Sequence, residues 1–316
     1  MDEQQPTRIA AEDYLETLAA HGIDYLFVNP GTDFAPIVEA FSRAARSNRT
    51  VPAPVVVPHE NAAVGMAHGV TMVNGRPQAV MVHTNVGTAN GINMLIDTAR
   101  DRIPMLFTSG RTPLTETGPS GTRSAYIHWA QEMFDQAGMI REIVKWDYEL
   151  RRGDQVADAV DRAMTLATAS PAGPVYLSLP REVLGEPAAG LGARAPRARP
   201  RAPYPSLADI ERLADWIAEA RAPLIITSSA GRYPQDSVAL AQLAERYALP
   251  VVAAEFASDV HGRDGRRPVA GSRSRHRAGG RRAVDPQQGI AAAGRPHRAD
   301  RRRSALRALP DAQFPL

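Results

Sequence analysis

The sequence predicts an α/β protein built as a three-layer parallel-sheet domain, followed by an incomplete second α/β domain and a disordered basic tail. Three observations predict it. Over the first 180 residues, short apolar runs alternate with stretches of helical period, and strands separated by helices imply right-handed crossovers and parallel pairing. The alternation stops in a stretch rich in Pro, Gly, Ala and Arg, then restarts near residue 206. Past about Asp259 it ceases: only seven of the last 56 residues are Val, Ile, Leu or Phe, below the roughly 20% that marks a chain unable to build a core.

Taken in order, Ile9, Tyr14, Leu15 and Leu18 share one helix face, with Gly22 as its stop. "DYLFV" (24–28) reads as a buried strand, and "NPGTD" (29–33) turns the chain into a helix from about Phe34 to Ala45. "PVVV" (54–57), a helix from about Glu60 to Val73, an Asn74-Gly75 turn, "QAVMVHT" (78–84), a helix from about Gly87 to Arg100 and "PMLFTS" (104–109) repeat the pattern. Further β/α material ends in "GPVYLSLP" (173–180). This outlines a domain over 1–183. A linker over 184–204, containing "AAGLGARAPRARPRAP", has little to bury and reads as an extended connection. A partial domain over 205–259 follows, with a helix at about 206–220, strand "PLIITSS", a helix at about 235–247 and strand "LPVVAA". A parallel sheet begun with two strands has no evident means of completion.

Composition narrows the function classes. The 316 residues contain no cysteine, which excludes disulfides, a thiolate nucleophile and thiolate metal sites. The opening "MDEQQPTRIA" is polar, and no apolar run approaches the roughly 20 residues that span a bilayer, so a cytoplasmic protein without membrane contact is expected. The net charge of +3 is unevenly spread: residues 261–316 hold 14 Arg, four Asp and neither Lys nor Glu, a balance of +10 that leaves −7 on the rest. The tail at 260–316 then has two readings. Arg-rich disorder binds nucleic acid through charge, whereas a GC-rich coding sequence read out of frame yields the same residues. Lys, Tyr and Trp vanish together there, which favours the frameshift reading, and the lack of interleaved aromatics counts against stacking on single strands.

In open parallel sheets, ligands bind beyond the carboxyl ends of the strands. Four segments fall there: Asn29–Asp33, His59-Glu60-Asn61, His83–Asn90 and Ser109-Gly110-Arg111. None forms a phosphate-binding glycine motif. Each residue has a plain alternative. Glu60 suits the first turn of a helix, where the dipole favours negative charge by about 0.3–1 kcal/mol. His83 suits a structural hydrogen bond, Gly31 and Gly87 suit permissive turns, and Asn90 suits a local backbone contact.

In combination and in order, "HGIDYLFVNPGTD", "PHENAAVGMAHG", "NGRPQAVMVHTNVGTANGINMLIDTARDRIPMLFTSG", "QEMFDQAGMIREIVKW" and "AGPVYLSLPREV" resemble the N-terminal pyrimidine-binding domain of thiamin-diphosphate enzymes of the acetolactate synthase and benzoylformate decarboxylase group. The resemblance covers about residues 8–183, and more weakly 205–255. It implies that Glu60 is the carboxylate that bonds the aminopyrimidine N1′ and drives the tautomer taking the proton from thiazolium C2. The resulting ylid attacks a 2-keto acid such as pyruvate or an aryl keto acid and serves as electron sink. It further implies that Gly31, Gly87 and Asn90 line the cofactor and that Gln131 faces the reaction centre. His83 departs from the synthases, which carry a small hydroxyl residue there, and matches the decarboxylase branch, where a histidine handles protons around the substrate.

The family's third domain holds the diphosphate through Mg²⁺, using a Gly-Asp-Gly segment and a downstream Asn. "GRDGRR" (262–267) lacks that context, and no metal ligand is assigned. Homodimers or homotetramers are implied for the intact family, and flavin binding is left undecided. The expectation is therefore a truncated, inactive fragment of a 2-keto-acid decarboxylase or acetolactate synthase. The alternatives are a noncatalytic pyrimidine-domain subunit that pairs with a separate diphosphate-domain chain, and a basic-tailed nucleic-acid-binding protein.

Overall fold

The computed structural model describes residues 7–188, 196–198 and 204–253. The expected basic tail and most of the expected linker lie outside them. Chain order runs α1 (Ala10–Ala20), β1 (Tyr25–Asn29), α2 (Ala35–Arg46), β2 (Ala53–Val56), α3 (Glu60–Asn74), β3 (Gln78–Val82), α4 (Thr84–Asn90), α5 (Ile92–Arg100), β4 (Met105–Arg111), the single turn α6 (Ile127–Ala130), β5 (Asp147–Glu149), α7 (Val156–Thr168), β6 (Pro174–Pro180) and the single turn α8 (Arg181–Leu184).

The six strands form one sheet in the order β2-β1-β3-β4-β6-β5, and every neighbouring pair is parallel. Alternate residues of the central strands feed two separate cores, as the period of two requires. Leu26, Met81, Leu106 and Leu177 pack with Tyr14, Leu18, Ile37 and Val160, which places α1, α2 and α7 on one face. Phe27, Val80, Phe107 and Tyr176 pack with Val64, Ala67 and Leu95, which places α3 and α5 on the other. The three-layer parallel domain read from the periodicity is thus the one observed.

Glycines end two helices as the sequence suggests: Gly22 (φ +76°) follows α1 and Gly75 (φ +70°) caps α3, both in the left-handed region that glycine enters without cost. One helix differs from expectation. The segment read as a single helix from Gly87 to Arg100 starts at Thr84 and breaks at Gly91 into α4 and α5. A Cβ on Gly91 would stand 3.1 Å from the Phe107 ring, so the break lets this backbone lie close against the sheet.

A second, two-stranded sheet follows, with α9 (Leu207–Glu219), β7 (Ile225–Thr227), α10 (Pro234–Tyr247) and β8 (Val251–Ala253). Its two strands pair in parallel, Ile226 beside Val252. Ser206 caps α9 by accepting from the Asp209 amide at 3.2 Å. Arg232 donates to the carbonyl oxygens of Asp101 (2.6 Å) and Arg102 (2.8 Å) just past α5, satisfying acceptors that a helix end leaves open. Among the described residues no helix is long and apolar enough to cross a membrane.

Candidate active site

The site begins where the strand order of the sheet reverses. β1 and β3 are neighbours, with Asn29 beside Val82, yet α2 leaves β1 toward one face and α5 follows β3 on the other. Loops diverging at such a point leave a crevice beyond the strand ends. The chain emerging from β1 delivers Gly31–Asp33, and the chain emerging from β3 delivers His83.

His83 is held at both ring nitrogens. Nδ1 lies 2.5 Å from Asp33 Oδ1, and Nε2 lies 3.1 Å from Gln131 Oε1. Asp33 is 3% exposed. Burial works against a charged His83 ring, but the Asp33 carboxylate outweighs it, aided by the Gln131 oxygen and the Glu60 charge, and the pKa of His83 lies above its usual value. Asp33 Oδ2 also accepts from the Thr84 amide at 3.4 Å. Thr84 has φ +39°, which is rare for a β-branched residue and costs on the order of 1–3 kcal/mol.

Two glycines make room for this pair. A Cβ on Gly31 would lie 2.2 Å from His83 Nδ1, and one on Gly110 would lie 1.4 Å from Asp33 Oδ2. Gly31 has φ −137°, so close approach rather than a left-handed turn calls for glycine here.

Glu60 opens α3, behind a helix cap in which His59 Nδ1 accepts from the Asn61 amide at 3.2 Å. Its Oε2 accepts from Asn90 Nδ2 at 2.5 Å, so Asn90 serves a side chain rather than local backbone. Its Oε1 accepts no hydrogen bond among the described residues. A Cβ on Gly87 would stand 3.4 Å from that oxygen and 2.9 Å from Val82 Cβ, so glycine lets α4 pack close against the end of β3 beside Glu60.

Gln131 follows the single turn α6 in the long segment after β4. That segment is tied down at several points: Arg123 Nε donates to Pro113 O at 2.7 Å, Arg181 donates to the carbonyls of Gly121 and Thr122, and Glu182 accepts from the Leu114 and Thr115 amides. Beneath it, the buried Gln136 donates to Ser109 Oγ (2.7 Å) and Tyr176 Oη (2.9 Å), and Tyr176 lies 2.5 Å from Ser109 Oγ.

Of the residues singled out in the sequence, Glu60 joins Gly87 and Asn90, and His83 joins Gly31 and Gln131. Asp33 and Gly110 had been placed in loop segments without a role. The signal for Asp33 was an acid just past the first strand, visible only once β1 and β3 are known to be neighbours.

At the level of fold, the chain is similar to the thiamine diphosphate-dependent 4-hydroxybenzoylformate decarboxylase of Rhodococcus jostii RHA1, with a TM-score of 0.67 and 22% identity over 78% of this chain and 44% of that one. Benzoylformate decarboxylase from Polynucleobacter necessarius gives a TM-score of 0.66 and 25% identity over 79% and 44%. The fold is thus that of the thiamine-diphosphate enzymes. Residues 9–139 match the family model "Thiamine pyrophosphate enzyme, N-terminal TPP binding domain". Among curated relatives it is 28% identical over 244 residues to a benzoylformate decarboxylase of Pseudomonas aeruginosa, covering 77% of this chain and 43% of the relative. It is 26% identical over 168 residues to the mitochondrial acetolactate synthase catalytic subunit of Saccharomyces cerevisiae, covering 53% and 22%. The chain therefore spans less than half the length of these relatives.

Proposed function

We propose that this chain supplies the pyrimidine-activating half of a thiamin-diphosphate-dependent enzyme acting on 2-keto acids, in the manner of a benzoylformate-type decarboxylase. One observation carries the reading: Glu60, at the carboxyl end of the sheet, has one carboxylate oxygen fixed by Asn90 and the other free of described partners beside Gly87. That is a suitable place for an aromatic ring presenting a nitrogen to a carboxylate. Bound there, the cofactor supplies a carbon nucleophile for the keto group and a sink for the electrons released on decarboxylation.

The chain's own residues then have distinct tasks. Glu60 exchanges a proton with the ring nitrogen through Oε1, while Asn90 holds Oε2 so that the carboxylate keeps its orientation. His83 presents Nε2 toward the reaction space, beside Gln131. A histidine at the end of β3 is the sequence feature that favours a decarboxylase over a synthase within this reading. Gly31 contributes by seating His83 against the backbone.

The diphosphate end does not fit the described residues. Among them no group of three or more His, Asp or Glu is placed to hold a metal ion, so no step is assigned to Mg²⁺ here. Those contacts belong, in this reading, to polypeptide other than the described residues, and the domain division at about 183 and 205 is part of the same proposal.

Calorimetric titration of this chain with thiamin diphosphate tests it. Weak binding that survives added salt and disappears in Glu60→Gln is expected, because a neutral amide loses the charge-assisted hydrogen bond that the carboxylate makes to the ring nitrogen. Equal binding by wild type and Glu60→Gln would refute the assignment.

A further inference from the structure

We propose that Asp33 is a positioning residue for His83, fixing which ring nitrogen faces the substrate, with Gln131 Oε1 marking the place of the substrate oxygen that His83 serves. This rests on the reading that His83 handles protons at the reaction centre. Three independent features of the structure converge on it.

The first is the hydrogen-bond pattern. Both partners of the ring present oxygen acceptors: the Asp33 carboxylate at Nδ1, 2.5 Å away, and the Gln131 amide oxygen at Nε2, 3.1 Å away. Only the doubly protonated ring donates to both. In the neutral ring, Asp33 would retain the proton on Nδ1 and leave Nε2 as a bare acceptor facing Gln131. The carboxylate thus dictates that every proton gained or lost by His83 passes through Nε2. A second acceptor of the same kind, such as a carbonyl or carboxylate oxygen of a 2-keto acid, takes the position of Gln131 Oε1 once that side chain swings aside.

The second is the space made for Asp33. Gly110 and Gly31 each stand where any Cβ would overlap this pair, at 1.4 Å from Asp33 Oδ2 and 2.2 Å from His83 Nδ1. A surface ion pair needs no such clearance. The third is Thr84: the carboxylate that holds the His83 ring also accepts the amide of the next residue, whose φ of +39° is unfavourable for threonine. One side chain secures both the ring and the bent backbone that carries it.

The charged groups around His83 come from several elements. Asp33 comes from the loop after β1 and Glu60 from the start of α3; both favour the charged ring. Arg111 and Arg181 line the small recess beside Asp33 and Gln131 together with His128. Arg111 is drawn off by Glu149 at 2.8 Å, and Arg181 by backbone carbonyls, so the carboxylates govern the ring.

The proton balance is simple. His83 gives its Nε2 proton to a substrate oxygen and becomes neutral imidazole, with Nδ1–H still donated to a carboxylate that stays ionised. The ring recovers its proton from solvent.

The test is a proton and nitrogen NMR titration of the histidine rings in the full chain, assigned with His83→Gln. In wild type, His83 is expected to titrate above the ordinary value of about 6.5, with the Nδ1 proton in slow exchange and far downfield. In Asp33→Asn, which keeps the shape, the apparent pKa of His83 is expected to fall by a unit or more and the downfield proton to vanish. Gln131→Ala is expected to keep the Nδ1 proton and the raised titration in large part. A wild-type His83 titrating at or below 6.5, or one unmoved by Asp33→Asn, would overturn the proposal. The titration involves no cofactor, so failure of thiamin diphosphate to bind would count against the proposed function while leaving this result to stand or fall separately.

Discussion

Gly110 and Asp33 share one space: a Cβ on Gly110 would fall 1.4 Å from Asp33 Oδ2, so the buried carboxylate stands where the side chain of a β4 residue would be. Gly110→Ala must therefore expel Asp33 or shift the strand. Overpacking of this kind costs about 1–3 kcal/mol, and guanidinium unfolding is expected to report a loss in that range. Gly69, inside α3 with nothing near its absent Cβ, is the control. Gly69→Ala is expected to raise stability by about 0.4–1 kcal/mol, since only helix propensity and chain entropy change.

Stability should also depend on pH through His83. Its pKa is raised in the folded protein, chiefly because the Asp33 carboxylate outweighs burial. The associated stabilisation is therefore full below the unfolded value of about 6.5 and is lost as pH rises through the folded value. Urea midpoints measured from pH 5.5 to 9 are expected to decline over this interval in wild type and to decline less in Asp33→Asn. Parallel profiles would show that another group governs the dependence.

Tyr176 carries a fully buried hydroxyl shared by Ser109 and Gln136. Tyr176→Phe keeps the ring packed against Phe107 but strips a partner from buried polar groups, and such orphaning costs about 1–3 kcal/mol. Thermal unfolding of the variant is the measurement. An unchanged midpoint would mean that the network is not shared in the way described.

Arg232 ties the segment that carries the second sheet to the carbonyls just past α5. Arg232→Ala is expected to leave the amides of β1, β3 and β4 as protected from exchange as before, while those of β7, β8 and α10 exchange faster. Uniform change across both sheets, or none, would contradict that role.

Much of this was legible in the sequence, for identifiable reasons. Strands such as "QAVMV" and "PVYLSLP" are apolar on both faces, and only a sheet covered on both sides buries them. The glycine stops at Gly22 and Gly75 reflect local backbone chemistry, readable without tertiary context. The helix start at Thr84 was not readable, because it requires a threonine at positive φ that the Asp33 carboxylate supports from 51 residues away. The partnership of Asp33 with His83 was hidden for the same reason: it depends on β1 lying beside β3, a fact of strand order rather than of spacing. Gln131 was singled out by family resemblance alone, and its 3.1 Å approach to His83 comes from a loop whose path no periodicity reveals.

The central claim is that Glu60 receives the aminopyrimidine, and saturation-transfer NMR on thiamin diphosphate mixed with this chain tests it most directly. If Glu60 holds the ring beside Gly87, saturation should pass most strongly to the pyrimidine protons and 2′-methyl group, weakly to the side chain bearing the diphosphate, and should collapse in Glu60→Gln while the fold persists. Strongest transfer at the diphosphate end, unchanged by Glu60→Gln, would contradict the account.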